Sequence, residues 1–213
     1  MNSNITLIVA DDHPILLNGL VNQLKDYNYE VLAVAENGAV ALDKIMDLKP
    51  DIAVLDEQMP LLTGFEVIQK CKEKGSDTKF IILSSHKEKA FVYKAKKLNI
   101  WGYILKDEPF EELHNCIQSV HKGTPYFSLV FDTIFNDEVA PQMQKLKLLS
   151  ASERTIVKLV AEGKSTKDIA ELLSLSMRTI DKHRSNIISK LGLVKEKDIL
   201  TNWAKENIEF VNY

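Results

Sequence analysis

Residues suited to handling a phosphoryl group recur through the first half of the chain. They are the adjacent pair Asp11 and Asp12, followed by Asp56, Ser84 and Lys106. Three carboxylates close together repel one another unless a cation lies among them, and Mg²⁺ favours carboxylate and phosphate oxygens. A carboxylate can also attack phosphorus, and the resulting acyl phosphate needs cationic and hydroxyl partners. The residue types therefore predict phosphoryl chemistry, with Lys106 and Ser84 as the stabilising groups.

Each of these polar residues follows a short apolar run that predicts a buried strand. The runs are rich in β-branched residues and nearly continuous, as is typical of parallel strands covered on both faces. We predict strands at residues 5–10, 31–35, 51–55, 80–83 and 102–105, with helical periodicity beginning at Pro14, Gly38, Gly64, Lys87 and Pro109. The pattern predicts an α/β fold, a doubly wound five-stranded parallel sheet whose strand ends bring the polar residues into one crevice.

A structural alternative exists for each polar residue taken alone. Asp11 and Asp12 could cap a helix, Asp56 and Ser84 could lie in turns, and Lys106 could be a solvated surface charge. Their shared position at strand ends favours the common site over these separate explanations.

Length and charge predict two domains with different partners. Residues 1–145 carry 15 Lys and Arg against 21 Asp and Glu, whereas residues 146–213 carry 12 against 9. The first four residues lack the features of a signal peptide, and no apolar run approaches the roughly 18 to 20 residues of a membrane span. Cys71 and Cys116 fit buried thiols in a reducing compartment. We expect a cytoplasmic protein with an acidic and a basic half and no membrane partner.

The basic half has the pattern of a helix-turn-helix unit. Ser150 and Glu153 form a capping box, Ser165 begins a second helix, and Ser176 begins a third that runs to about Leu191. We expect domains at residues 4–122 and 146–213. Residues 123–145 form a linker, in part helical, whose aromatic residues favour packing against one domain over a flexible tether.

A helical wheel separates the two faces of the third helix. Ile180, Ile187 and Leu191 share one face, which we expect to point at the core. The opposite face would meet a DNA groove, and its residues are Arg178, Lys182, Ser185 and Ser189. Arg184 lies at the core edge and suits a phosphate contact better than a base contact. A solvated helix face is the alternative.

Motifs across residues 4–122 resemble the receiver domain of bacterial two-component response regulators. They are IVADDHPILLNGL, DIAVLDEQMPLLTGFEVI, IILSS and GYILKD. The resemblance implies that Asp56 accepts the phosphoryl group from a sensor histidine kinase and that Ser84 and Lys106 contact that group. It also implies that Tyr103 changes rotamer as a switch. The Mg²⁺ ligands that it implies are Asp11, Asp12, Asp56 and the backbone carbonyl of Gln58.

Residues 146–211 resemble the LuxR-type helix-turn-helix, so that the whole chain resembles a NarL/FixJ-type response regulator. The run LSASERTIVKLVAEGKSTKDIAELLSLSMRTIDKHRSNIISKLGL carries the match. The resemblance implies a final helix from Lys197 to about Ile208 that pairs two copies, with Trp203 in the core or at the dimer surface. The family often has a basic residue where Asp181 stands, so that either one contact is missing or Asp181 accepts from a cytosine amino group. The residues that we expect to contact double-stranded DNA are Arg178, Thr179, Asp181, Lys182, Arg184, Ser185 and Ser189.

The expected function is phosphorylation-controlled regulation of transcription by a protein that forms a homodimer when active. The alternative is a response regulator that acts through protein contacts, with a helix-turn-helix that binds DNA weakly or not at all. We expect no enzymatic activity beyond self-phosphorylation from small phosphodonors and slow loss of the phosphoryl group. We also expect no small-molecule substrate. A phosphohydrolase is poorly supported, because no second carboxylate is placed as a general acid.

Overall fold

The chain folds into two compact units. The structure, a computed structural model, describes residues 4–194, 196 and 198–211, except for the side chain of Glu209. The first unit ends at Phe135, and the second begins at Asn136. Among the described residues, no helix is long and apolar enough to cross a membrane.

The first unit alternates strands with helices, as predicted. Its elements are β1 (Thr6–Ala10), α1 (Pro14–Asp26), β2 (Glu30–Ala35), α2 (Gly38–Leu48), β3 (Ile52–Asp56), α3 (Gly64–Glu73), β4 (Lys79–Ser84), α4 (Lys89–Lys97), β5 (Gly102–Leu105), α5 (Phe110–His121), β6 (Tyr126–Phe127) and α6 (Leu129–Ile134). The strands form one parallel sheet in the order β2-β1-β3-β4-β5-β6. The predicted doubly wound parallel sheet of five strands is therefore confirmed in β1 to β5.

The strands are buried because their side chains are apolar on both faces. Every residue of β3 is buried, and so are four of the five in β1. Burying such strands between two helical layers removes a large apolar area from water. The register places Asp56 opposite Leu83 and Ser84 opposite Leu105. The ends of β3, β4 and β5 therefore open at the same edge of the sheet.

The sheet has a sixth strand that the sequence analysis does not predict. Tyr126 and Phe127 pair in parallel with β5, in the segment assigned to the linker. Two residues are too few to show a strand period, and their pairing depends on the exposed edge of β5. The predicted short helix is present as α6, and its Phe131 is buried within the first unit.

The second unit is all-helical. A π-helical turn (Phe135–Val139) spans the division between the units. It precedes α7 (Ala140–Lys147), α8 (Ala151–Ala161), α9 (Thr166–Leu172), α10 (Met177–Lys190), α11 (Ile199–Glu206) and α12 (Ile208–Val211). Ser150, Ser165 and Ser176 cap α8, α9 and α10, as predicted, each accepting from a backbone N–H three residues later. Gly192 has a positive φ of 65°, which suits the end of α10.

The final helix differs from its prediction. A single helix was expected from Lys197 to about Ile208, but the described helices are α11 and α12, separated at Asn207. Lys197 lies outside the described residues. Asp198 is in the left-handed region at φ 57°, so α11 begins only after it. Trp203 is buried in the core of the second unit with Leu200 and Ala204, which answers the open choice for this side chain.

Candidate functional site

A lysine joins two carboxylates at the carboxyl edge of the sheet. Lys106 Nζ lies 2.7 Å from Asp11 Oδ2 and 3.0 Å from Asp56 Oδ1. The Lys106 N–H donates to the carbonyl of Ser84 at 2.8 Å, which continues the pairing of β4 with β5 and fixes the lysine backbone. Asp12 lies in the same group of ligand atoms, all within 4.8 Å of one another. We call Asp11, Asp12 and Asp56 the acidic cluster.

Burial and ion pairing shift the ionisation of this site in opposite directions. Burial raises the pKa of Asp56, and the hydrogen bond from Lys106 only partly offsets that rise. Burial acts to lower the pKa of Lys106, but its hydrogen bonds to Asp11 and Asp56 outweigh burial and raise it. The lysine therefore stays charged, while the negative charge of Asp56 depends on its cationic neighbours.

The separate structural alternatives are wrong for these residues. The N-cap of α1 is His13, not an aspartate, and no side-chain cap hydrogen bond is present among the described residues of that helix. Ser84 is fully buried as the last residue of β4. The Lys106 side chain is only 14% exposed and bridges two carboxylates, so it is not a solvated surface charge. Asp11, Asp12, Asp56 and Lys106 therefore lie together at this edge of the sheet, and Ser84 ends the neighbouring strand.

The acidic cluster fits a small divalent cation. Asp12 Oδ1 is buried and makes no hydrogen bond within the described part of the chain, although His13 Nδ1 lies 2.8 Å away. A buried carboxylate oxygen without a hydrogen bond is costly, and a cation removes that cost. Three carboxylates against one lysine also leave an excess of negative charge. Gln58 follows in the loop after β3 with its side chain exposed.

Ser84 ends β4, the strand that pairs with β3, but its side chain hydrogen-bonds outside the acidic cluster. Its Oγ donates to Glu57 Oε2 at 2.5 Å and accepts from the N–H of His86 at 2.9 Å. Burial raises the pKa of Glu57, against the lowering effect of the Ser84 hydrogen bond. The hydroxyl proton of Ser84 is therefore used for Glu57 and not for the acidic cluster.

Tyr103 points inward in this structure. Its hydroxyl donates to the carbonyl of His86 at 2.9 Å, and burial raises the pKa of its phenol. Its ring packs on Phe131 of α6, with the ring centroids 4.9 Å apart. The peptide groups of His86 thus connect Ser84 to Tyr103, and Tyr103 connects to the helix that follows the sheet.

Helix α10 presents the face that the wheel predicts. Ile180 and Ile187 of α10 are fully buried, and Leu191 is nearly so. The residues predicted to contact DNA fall into two groups by exposure. Thr179 and Arg184 are half-buried. The exposed ones are Arg178, Asp181, Lys182, Ser185 and Ser189. The Thr179 hydroxyl is 2.8 Å from the Ser176 hydroxyl at the helix cap, which ties it to the cap.

Two residues near the acidic cluster were missed as participants. Glu57 was not singled out, although it follows β3, whose residues are buried on both faces, and this pattern could have indicated its burial. His13 was not singled out either, and its side chain is exposed. Its ring Nδ1 lies 3.2 Å from Asp11 Oδ1, and its backbone N–H donates to the same oxygen at 2.9 Å. The pairing of His13 comes from the backbone turn after β1, which the sequence pattern does not specify.

Comparisons with known proteins identify both units. Residues 7–118 match the response regulator receiver domain, and residues 147–205 match the luxR family of bacterial regulatory proteins. The oxygen regulatory protein NreC of Staphylococcus epidermidis is 33% identical over 96% of this chain and 99% of its own length.

Two solved structures are similar as well. RcsB from Salmonella enterica serovar Typhimurium, bound to promoter P1flhDC with the phosphomimetic BeF3⁻, has a TM-score of 0.64 and 25% identity. That match covers 94% of this chain and 98% of RcsB. A DNA-binding response regulator of the LuxR family from Staphylococcus aureus has a TM-score of 0.54 and 32% identity, covering 55% of this chain and 98% of that one.

A receiver-type sheet with an acidic cluster, followed by a helix-turn-helix, defines a two-component response regulator. The chain belongs to the NarL/FixJ family of response regulators, which joins a receiver domain to a LuxR-type helix-turn-helix.

Proposed function

We propose that this chain is a transcription regulator whose DNA binding is controlled by phosphorylation of Asp56 by a sensor histidine kinase. The observation that carries the proposal is the ion pair of Asp56 with Lys106 inside the acidic cluster, in a chain that also holds a helix-turn-helix. RcsB, which resembles this chain over nearly its whole length, binds promoter DNA together with a phosphoryl mimic. This supports DNA binding over action through protein contacts alone.

In the proposed reaction, a carboxylate oxygen of Asp56 attacks the phosphorus of a phosphohistidine. The phosphorus–nitrogen bond breaks, its electron pair stays with the imidazole, and an acyl phosphate forms on Asp56. Lys106 neutralises part of the added negative charge from its position 3.0 Å from Asp56. The chain then carries the phosphoryl group as a signal, with slow self-dephosphorylation and no turnover of small-molecule substrates.

The acidic cluster would hold Mg²⁺ through Asp11, Asp12, Asp56 and the backbone carbonyl of Gln58. The buried Asp12 oxygen without a hydrogen bond and the excess of carboxylates over cations support this assignment. When bound, the cation supplies charge neutralisation for carboxylate and phosphoryl oxygens. The ion pair with Lys106 would hold Asp56 in position beside the cation.

The phosphoryl group would be reported through Ser84 and Tyr103. A phosphoryl oxygen accepts a hydrogen bond from Ser84, which draws that side chain and the attached His86 peptide toward the site. Because Tyr103 donates to the His86 carbonyl, its rotamer responds to the same movement. Phosphorylation in this scheme shifts an existing equilibrium toward the active form.

The active form is proposed to be a homodimer that places two copies of α10 on DNA half-sites about one helical turn apart. Arg178, Lys182, Ser185 and Ser189 are exposed on the face that would enter the groove. Asp181, also exposed, can accept from a cytosine amino group, and Arg184 suits a phosphate. Thr179 is proposed to contact DNA from the capped end of the helix. The buried free thiols fit the cytoplasm, a reducing compartment.

Intact-mass spectrometry of the full chain with acetyl phosphate and Mg²⁺ tests the first half of this proposal. We expect a mass gain of one phosphoryl group in the wild type and none in Asp56→Asn. An Asp43→Asn variant, which removes an exposed carboxylate on α2, should gain the group normally. Equal phosphorylation of the wild type and Asp56→Asn would refute the assignment of the phosphoacceptor.

A further inference from the structure

Glu57 is a buried carboxylate that the proposed phosphoryl chemistry does not use. It is 2% exposed, and the Ser84 to which it is hydrogen-bonded is fully buried. The loop that carries Glu57 is tightly fixed, because its carbonyl accepts from the N–H of Gly64 at 2.9 Å. A Cβ atom at Gly64 would stand 2.3 Å from the carbonyl oxygen of Asp56, so the close approach of α3 requires glycine there. The carboxylate is therefore held beside Ser84 by the backbone.

The Ser84 hydroxyl can donate to only one acceptor at a time. A serine hydroxyl has one proton to donate. Ser84 Oγ accepts from the N–H of His86, so its proton is used for Glu57. A fully ionised phosphoryl group offers only acceptor oxygens. Ser84 cannot donate to Glu57 and to a phosphoryl oxygen at the same time, and phosphorylation must break the bond to Glu57.

We propose that Glu57 is a positioning residue that holds the Ser84 hydroxyl away from the phosphoryl group and so opposes the phosphorylated arrangement. The inference rests on the proposed function, because it assumes that Ser84 contacts a phosphoryl group on Asp56. Breaking the bond leaves a buried acceptor without its donor, which is a cost that the phosphorylated state must bear. The mechanism requires no change in protonation, because a carboxyl group offers an acceptor oxygen in either state.

Two substitutions separate this hydrogen bond from simple charge repulsion by Glu57. Glu57→Met keeps a long side chain that suits a buried position but has no oxygen acceptor. Glu57→Gln removes the charge but keeps an oxygen that accepts from Ser84. If the hydrogen bond opposes switching, methionine releases Ser84 and glutamine retains much of the restraint. If charge repulsion is the cause, the two variants behave alike.

The test measures the affinity of the full chain for beryllium fluoride in the presence of Mg²⁺, as a mimic of the phosphoryl group. The backbone amide of His86, which donates to Ser84, provides the reporter signal in a ¹H–¹⁵N NMR titration. We expect Glu57→Met to bind the mimic about tenfold more tightly than the wild type. Glu57→Gln should bind it no more than about threefold more tightly, because the glutamine oxygen still accepts from Ser84, although more weakly than a charged carboxylate does. In a Ser84→Ala background, we expect neither substitution to change the affinity.

Each outcome has a distinct meaning. No tightening in Glu57→Met, with normal binding by the wild type, overturns the role of Glu57 and leaves the proposed function standing. Equal tightening by methionine and glutamine, or tightening that persists in the Ser84→Ala background, also overturns it in favour of charge repulsion. Failure of the wild type to bind the mimic overturns the proposed function, and the role of Glu57 with it.

Discussion

Replacing Asp12 with asparagine should make the first unit more stable without Mg²⁺ and remove its response to the ion. Within the described part of the chain, the buried Asp12 Oδ1 makes no hydrogen bond, although His13 Nδ1 lies 2.8 Å away. Like-charged Asp11 and Asp56 have ligand atoms within 4.8 Å of that of Asp12, and an asparagine side-chain oxygen can still accept from His13. Asparagine removes a negative charge and supplies two N–H donors for the neighbouring carboxylates. The same substitution deletes a proposed metal ligand, so stability and function should change in opposite directions.

The size of the gain follows from Coulomb's law. Two unit charges 4.8 Å apart repel by about 3.5 kcal/mol at an effective dielectric constant of about 20, and by about 0.9 kcal/mol in water. The Asp12 side chain is 30% exposed, which places each repulsion toward the lower value. Lys106, paired with Asp11 and Asp56, cancels part of the two repulsions. We expect Asp12→Asn to raise the free energy of unfolding by about 1–2 kcal/mol in the absence of Mg²⁺.

Urea denaturation followed by tryptophan fluorescence measures this change. The chain has two tryptophans, Trp101 in the first unit and Trp203 in the second, so a Trp203→Phe background reports on the first unit alone. Saturating Mg²⁺, at about 100 times its dissociation constant, should add about 2.7 kcal/mol to the reference protein and little to Asp12→Asn. Asp43→Asn, at an exposed position of α2, is the matched control and should change stability by no more than about 0.5 kcal/mol. Destabilisation by Asp12→Asn in EDTA, or an equal gain from Mg²⁺ in both proteins, would refute the reasoning.

Three further predictions concern Lys106 in the first unit and Glu153 and Arg184 in the second. Lys106→Met should destabilise the metal-free first unit by about 3–5 kcal/mol, because it leaves the buried carboxylates of Asp11 and Asp56 without their shared lysine. A loss below about 1 kcal/mol in urea denaturation would contradict this. Glu153→Gln should cost the second unit about 1 kcal/mol at neutral pH by removing the ion pair with Lys190, measured by Trp203 fluorescence. Lys190 holds the pKa of Glu153 below its usual 4.5, so this stabilisation is lost as the pH falls below about that value. If the free energy of unfolding falls with acid pH in Glu153→Gln as it does in the wild type, the ion pair is not the cause. Arg184→Ala should weaken DNA binding on any sequence and reduce the salt slope of the affinity by about 1, and an unaltered slope would exclude a phosphate contact by this residue.

The sequence predicts the site well where topology alone decides the geometry. Asp56, Ser84 and Lys106 are far apart in the chain, but parallel strands open at one edge, so their positions at strand ends suffice to bring them together. The caps of α8, α9 and α10 are also predictable, because a serine directly before a run with helical periodicity is a local signal for a helix start.

Features that depend on tertiary contacts are not predictable in this way. The strand β6 has only two residues and exists because β5 leaves an edge open to pairing. The partner of Ser84 could not be derived from strand ends, because it depends on how the loop after β3 turns Glu57 inward. The inward rotamer of Tyr103 depends on Phe131, which lies on a helix whose packing no local pattern specifies.

The affinity of the full chain for promoter fragments, with and without a phosphodonor and Mg²⁺, tests the central claim most directly. Footprinting on genomic DNA identifies the fragments, and the wild type is then compared with Asp56→Asn. We predict that the phosphodonor tightens binding of the wild type, that Asp56→Asn shows no such response, and that the affinity falls steeply with salt. An affinity that the phosphodonor leaves unchanged in the wild type would contradict the claim that Asp56 controls the helix-turn-helix.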